Sequence, residues 1–486
     1  MKKSLFPFFV ITLLCATAAY AQRGPEWLKN AVIYHIYPSS FQDSDGDGIG
    51  DLEGIRSRLD YVKACGFNTI WLSPVFESPF EDGGYDITDY YKVDPRFGTN
   101  TQLVELIRDA HAKGIRICLD LVAGHTSDKH PWFRQSRSAD TNLQYSDYYI
   151  WSDSKSSLPT KKFVKSDAPR NGNFLKNYFE VQPALNYGYA HPDPDEPWQQ
   201  GYDDPGPRAV RQEIRNIMAF WMDKGVDGFR CDMAMLVPIE FWNETSLRLR
   251  RVKPDLFMLA EAEERNLFEE GAFDACYAWR MHHLMNDVAR QRTRVTALRD
   301  YIYADRDDYP DSAMRLAFTS NHDENSWNGS EFSRLGDARE IMAVFTFVVP
   351  RGLPLIYTGQ EIGYDHSFAF FDRDPIPSYA SNAFTEFYRR LTALRHGNPA
   401  LAAGERGGAM VEIRNNAEDC LMTFVRETGG NRVVAVMNLS PYAIHADYYT
   451  GIYAGMYTDA MTGEPFELRG RVEEDMAPWS YRILTR

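Results

Sequence analysis

The chain is poor in cysteine and has no surplus of positive charge. Beyond its first residues it also lacks any long apolar run. Each shortage removes a class of function. Six cysteines in 486 residues show no pair at metal-ligand spacing, so a zinc ribbon or finger is excluded. Five of them, Cys65, Cys118, Cys231, Cys276 and Cys420, follow the N-terminal segment; the odd count leaves at least one thiol free, and they read as small buried hydrophobes in strands. A formal net charge of -15 would repel phosphate, which excludes nucleic acid as a partner. The single apolar run, residues 5–14, follows Lys2 and Lys3 and precedes Ala19-Tyr20-Ala21. That pattern predicts a secretory signal peptide over residues 1–21, with export to the periplasm or medium, and no transmembrane span. Cys15 would admit a lipid anchor, but Leu14 before it is not a small residue.

Most of the chain alternates between two periods. Apolar runs at 31–38, 68–75, 115–122, 225–232, 256–262, 275–279, 314–321 and 354–361 read as strands, with helical spacing at 51–64, 101–113, 208–224, 238–252, about 280–304, 337–348 and 383–396. Eight strands alternating with helices predict an α/β protein built on a (β/α)8 barrel. An open doubly wound sheet would need a glycine-rich turn after its first strand, where Pro38-Ser39-Ser40 stands instead. The barrel is expected to occupy 22–124 and 207–399. Residues 125–206 carry no strong period and read as an inserted domain after the third strand. From residue 400 the pattern becomes alternating strands and turns, which predicts a C-terminal antiparallel β-sandwich domain over 400–486, either a stabilising cap or a glycan-binding module.

Barrel enzymes keep their chemistry at the C-terminal ends of the strands. Here those ends carry Asp120, Asp232, Glu261 and, just past the seventh strand, Asp323, with His125 and His322 beside them. Packing like charges on one rim costs stability, so paired-carboxylate catalysis is the natural reason to keep them. Within GVDGFRCD (225–232) Arg230 and Asp232 share a strand face. The guanidinium should hold Asp232 ionised as a nucleophile, while Glu261, in an apolar and acidic setting, should stay protonated as general acid.

These blocks resemble the α-amylase superfamily of glycoside hydrolases. GFRCD matches its nucleophile motif, LAEAE its acid/base motif, FTSNHDE (318–324) the motif of the third acid, and DLVAGH (120–125) the strand-three motif. GYDITDY (84–90), QPALN (182–186) and GQEIG (359–363) match further blocks. The resemblance implies Asp232, Glu261 and Asp323 as catalytic residues. It implies Tyr85 as a ring-stacking platform, Asp86 nearby, and His125, Arg230 and His322 around the same sugar. The implied reaction retains anomeric configuration, with the working carboxyls about 5–5.5 Å apart.

DSDGDGIGD (43–51) sets acids at alternate positions, hard oxygen ligands suited to Ca²⁺, although Gly54 replaces the glutamate of a full EF-hand. An unmetallated Asp-Gly turn is the other reading. By resemblance to the oligo-1,6-glucosidase branch, the ligands would be Asp43, Asp45, Asp47 and Asp51 with the Ile49 carbonyl. A second family calcium site needs an asparagine where Gly124 stands. The short segment after the eighth strand favours internal cleavage of starch-like α-glucans or maltooligosaccharides. Exo-acting α-glucosidase or oligo-1,6-glucosidase action, transglycosylation, and a binding protein that has lost catalysis are the alternatives.

Overall fold

The computed structural model describes residues 24–486, so the signal peptide expected over 1–21 lies outside the described residues. Eight short strands close a parallel barrel: β1 (Ile33–Ile36), β2 (Thr69–Leu72), β3 (Arg116–Leu121), β4 (Gly228–Cys231), β5 (Phe257–Ala260), β6 (Ala275–Tyr277), β7 (Met314–Phe318) and β8 (Gly352–Tyr357). Neighbours follow chain order around the ring, and β8 returns to β1. Every strand residue except Arg116 is buried. This is why the runs read as continuously apolar: helices cover the outside while side chains fill the lumen. The lumen cluster includes Trp71, Phe257, Leu259, Tyr277, Leu316, Phe318 and Leu355.

The strands are shorter than their apolar runs. The run 225–232 yields only Gly228–Cys231. Gly225, at φ +105°, ends the preceding helix, and the buried Asp227 carboxylate accepts from Ile117 N at 2.9 Å and Arg116 Nη1 at 2.9 Å. Two expected helices are divided. Residues 51–64 form Leu52–Ser57 and Leu59–Ala64. The joint is a tightened turn in which Arg58 N bonds Ile55 O, and the apolar face of Leu52, Ile55, Leu59 and Val62 stays buried across it. The region after β6 divides into Trp279–Ala289 and Val295–Asp308, with Gln291 at positive φ between them.

Between β3 and the helix Pro205–Asp223, the insertion holds one short α-helix, Pro131–Ser136, a single 3-10 turn, Ser146–Tyr148, and a hairpin of Phe163–Val164 with Phe174–Leu175. Aromatic packing of Phe133 on Tyr149, Trp151 and Phe174 takes the place of regular structure. A bridge from His125 to Ala184 brings its end back over the barrel rim.

The C-terminal domain pairs six antiparallel strands in the order Met410–Glu412, Leu421–Thr428, Asn431–Asn438, Tyr481–Thr485, Gly455–Asp459 and Pro465–Leu468. A two-stranded sheet, Ile444–Tyr448 with Val472–Met476, packs against them. Arg426 fastens this domain to the barrel through the carbonyls of Val348 at 3.1 Å and Val349 at 2.9 Å. Among the described residues no helix is long and apolar enough to cross a membrane, and Cys65, Cys118, Cys231, Cys276 and Cys420 are all free thiols.

Candidate active site

Arg230 is the hub of the rim. β3 and β4 pair in register with Asp120 opposite Arg230, so both side chains rise from the same level of the lumen. The Arg230 Nη1 group donates to Asp120 at 2.9 and 3.1 Å and to Asp232 Oδ1 at 2.9 Å. Its Nη2 lies 2.8 Å from Glu261 Oε2, and its Nε donates to the Tyr277 hydroxyl at 3.2 Å. One buried cation thus faces three buried carboxylates, which places Glu261 in the same ion cluster as Asp232. Glu261 Oε2 also accepts from Met233 N at 2.8 Å.

Burial raises all three acids and Arg230 opposes it. Asp120 is pushed up to about 6, Asp232 to about 7 and Glu261 to about 8. Arg230 favours the ionised form of Asp232, as expected of the nucleophile, against desolvation and the neighbouring acids, which favour the protonated one. Burial and the nearby Asp232 and Asp323 carboxylates favour a protonated Glu261, as its expected role of general acid requires.

The histidines of the rim are neutral. Burial lowers His125 and His322 to about 4. His322 Nε2 lies 2.8 Å from the Tyr85 hydroxyl, which donates to Asp120 Oδ2 at 3.1 Å. His125 Nε2 meets Tyr85 O at 3.1 Å, and its Nδ1 meets Asn177 Nδ2 at 3.2 Å. Asp323 follows His322 at the start of the helix His322–Asn328, with its Oδ1 3.5 Å from His322 Nε2. These groups line a cleft of about 540 Å³. Tyr85, His125, Arg230, Asp232, Glu261, His322 and Asp323 all border it.

Asp86 does not reach the cleft. It is fully buried, and its carboxylate accepts from Ser78 Oγ at 2.8 Å, Glu81 N at 3.0 Å and Asp82 N at 3.1 Å, closing the loop after β2. Asp82 borders the cleft in its place, pushed up to about 7 by burial and bonded to Gln182 Nε2. Trp71, whose Nε1 donates to Asp120 at 3.1 Å, and Tyr277 also escaped the motif reading. Both sit on strand positions that face the lumen, so strand parity alone could have found them. No comparable pattern announces Asn177, Trp327 or Phe370.

No residue of the acidic loop is part of the cleft lining. Carboxylate oxygens of Asp43, Asp45 and Asp51 come within 4.8 Å of one another. Asp47, in the same loop, accepts from Ile49 N at 2.7 Å through its Oδ1. Amides of Gly46 and Gly48 hold the Asp43 carboxyl below its ordinary range. Three converging oxygen donors suit a hard cation such as Ca²⁺.

Residues 35–390 match the α-amylase catalytic domain, and residues 413–478 match the α-amylase C-terminal all-β domain. α-Amylase 3 of Dictyoglomus thermophilum is 33% identical over 379 residues, 75% of this chain and 69% of that protein. An oligo-1,6-glucosidase of Heyndrickxia coagulans is 45% identical over 214 residues, 43% of this chain and 36% of its own. The crystal structure of an α-amylase from H. orenii superimposes with a TM-score of 0.76 at 25% identity, covering 94% of this chain and 99% of that one. With the catalytic-domain match spanning most of the barrel and the acids gathered on its rim, the chain belongs to the α-amylase family of glycoside hydrolases, family 13.

Proposed function

We propose that the chain is a retaining hydrolase that cuts internal α-1,4-glucosidic bonds of starch-like glucans. The observation that carries this reading is the Arg230 bridge between Asp232 and Glu261, which sets the two working acids side by side on the rim of the cleft. Asp232 attacks the anomeric carbon while Glu261 passes its proton to the departing glycosidic oxygen. Water then attacks the glycosyl–Asp232 ester, and the Glu261 carboxylate takes the proton back. Asp323 and neutral His322 receive ring hydroxyls of the same glucose. The short segment 364–382 between β8 and the closing helix leaves the cleft open for a chain to pass.

Exo-action is the second reading. One feature favours it: the Tyr37 hydroxyl donates to Gly83 O at 3.0 Å and Phe370 O at 3.1 Å, and Asp82 bonds Gln182, so loops are tied together beside Tyr85. Maltoheptaose blocked at its non-reducing end separates the two. Internal cleavage releases short blocked and free maltooligosaccharides; an intact blocked substrate, with glucose released only from the unblocked one, would overturn the first choice.

The acidic loop is assigned to one structural Ca²⁺ held by the converging Asp43, Asp45 and Asp51, with Asp47 and the Ile49 carbonyl completing the set. Arg373 Nη1 donates to Asp47 O at 2.6 Å, so an ordered loop also steadies the segment carrying Phe370 and Phe371. Dialysis of the full-length protein against a chelator should lower Tm by several degrees, as expected for losing about 2.7 kcal/mol at a hundredfold excess of metal over Kd. Ca²⁺ should restore it, and Asp45→Asn should abolish the response. A Tm indifferent to Ca²⁺ in both proteins would remove the site.

A further inference from the structure

Of the acids assigned to catalysis, Asp323 alone has no ion pair with Arg230. Asp232 and Glu261 are fixed by the guanidinium. The Asp323 carboxylate makes no hydrogen bond among the described residues, and its ion-pair contact is 3.5 Å to His322 Nε2, its neighbour on the same helix. Its place in the cleft is therefore set by the peptide that carries it, from the end of β7 into the helix His322–Asn328.

That segment is held from behind. Glu324, the residue after Asp323, is buried and is not part of the cleft lining. Its Oε2 lies 3.1 Å from Nε2 of His282, a buried residue of the helix Trp279–Ala289. Nδ1 of the same imidazole lies 3.2 Å from the carbonyl oxygen of Phe318, the last residue of β7, and the ring stacks on Phe318 at 4.7 Å. One side chain thus grips both ends of the segment 318–324 and brackets His322 and Asp323 between them. Arg334, from the helix Glu331–Leu335, supports it. Its Nη2 donates to Thr319 O at 2.8 Å and to Ser320 Oγ at 3.0 Å, and its Nη1 is 3.9 Å from Glu324 Oε2. Asn328 Nδ2 donates to the same carboxylate oxygen at 3.2 Å. Burying a carboxylate is costly unless it is paired and hydrogen-bonded, and no step of the proposed reaction uses this one.

We propose that His282 and Glu324 are positioning residues for Asp323. The pair holds the segment so that the Asp323 carboxylate meets the ring hydroxyls of the glucose being cleaved. Misplacing a reacting group by about 1 Å can cost about a hundredfold in rate, so the pair acts on kcat without touching substrate. The inference rests on the glucan-cleaving reading of the cleft and on the role given there to Asp323.

Glu324→Ala and His282→Ala in the full-length protein, each alone, together, and in an Asp323→Ala background, test it with α-glucosyl fluoride as substrate. With Asp323 present, each should lower kcat about tenfold or more and leave KM nearly unchanged. The two together should cost no more than either alone, because they act as one unit. Without the Asp323 carboxylate nothing remains to be misplaced, so neither change should lower kcat further. A merely structural role predicts a loss that carries over undiminished into the Asp323→Ala background. That result would overturn the proposal, as would an unchanged kcat in both single variants. Should the alanine variants not fold, Glu324→Gln and His282→Gln keep most of the volume and carry the same cycle, with an expected loss of about threefold. A loss that is absent, or equal in both backgrounds, again overturns it. Failure of the unaltered protein to act on the fluoride would instead strike the glycosidase reading itself.

Discussion

Asp232→Asn is expected to lower kcat on maltoheptaose by about 10⁴-fold or more, which is about 5.5 kcal/mol of transition-state stabilisation, with the fold intact. The carboxamide has the shape of the carboxylate and can keep the 2.9 Å contact to Arg230 Nη1, but it has neither the charge nor the nucleophilicity to form the glycosyl ester. Maltooligosaccharide binding should survive, because Tyr85, His125, His322 and Asp323 still border the cleft. A structural role for Asp232 predicts a different pattern, with binding and stability lost together. Asp232→Gly sharpens the distinction. With an activated substrate such as α-glucosyl fluoride, azide can enter where the carboxylate stood and should yield a glycosyl azide of inverted configuration. Retention of more than a few per cent of kcat by the Asn variant, or no azide product from the Gly variant, would move the nucleophile elsewhere.

The reach of sequence reasoning can be judged residue by residue. Arg230 and Asp232 were legible because strand parity puts i and i+2 on one face, and the structure joins them at 2.9 Å. The barrel was legible because buried parallel strands read as continuous apolar runs between amphipathic helices. What stayed hidden depends on contacts across the chain. Nothing local says that the second arm of Arg230 reaches Glu261, which follows a different strand. Nor can spacing decide between Asp82 and Asp86. That choice is made by Ser78 Oγ and two amides, which turn the second carboxylate into its own loop. Tyr178 and Phe179 lie in an insertion without periodicity, where hydrogen bonds to Gln182 do what a helix or strand would otherwise do. The break at Arg58 is invisible for the opposite reason, since the apolar face continues across it.

The second large effect is expected at Arg230. Arg230→Met removes the only cation in contact with Asp120, Asp232 and Glu261 among the described residues. Breaking a buried ion pair typically costs about 3–5 kcal/mol, because the stranded charge stays buried. The cost here must depend on pH, and its sign follows from the direction of the shifts. All three carboxyls sit above their ordinary values, at about 6, 7 and 8, so the folded state holds protons that the unfolded chain has released. Their contribution is most favourable below about pH 4 and is lost as pH rises through about 6 to 8. Without Arg230 the three values rise further, so the deficit against the parent should be small at pH 5 and large at pH 8. Urea unfolding at the two pH values measures it directly. Arg230→Lys should recover much of the stability, because the charge returns. It should recover little of kcat, because one ammonium cannot hold Asp120, Asp232 and Glu261 in the geometry of a planar fork. A deficit of the same size at both pH values would mean that Arg230 acts by packing against Trp71 and Tyr277, which lie 5.0 and 5.7 Å from its guanidinium carbon, rather than by balancing the acids.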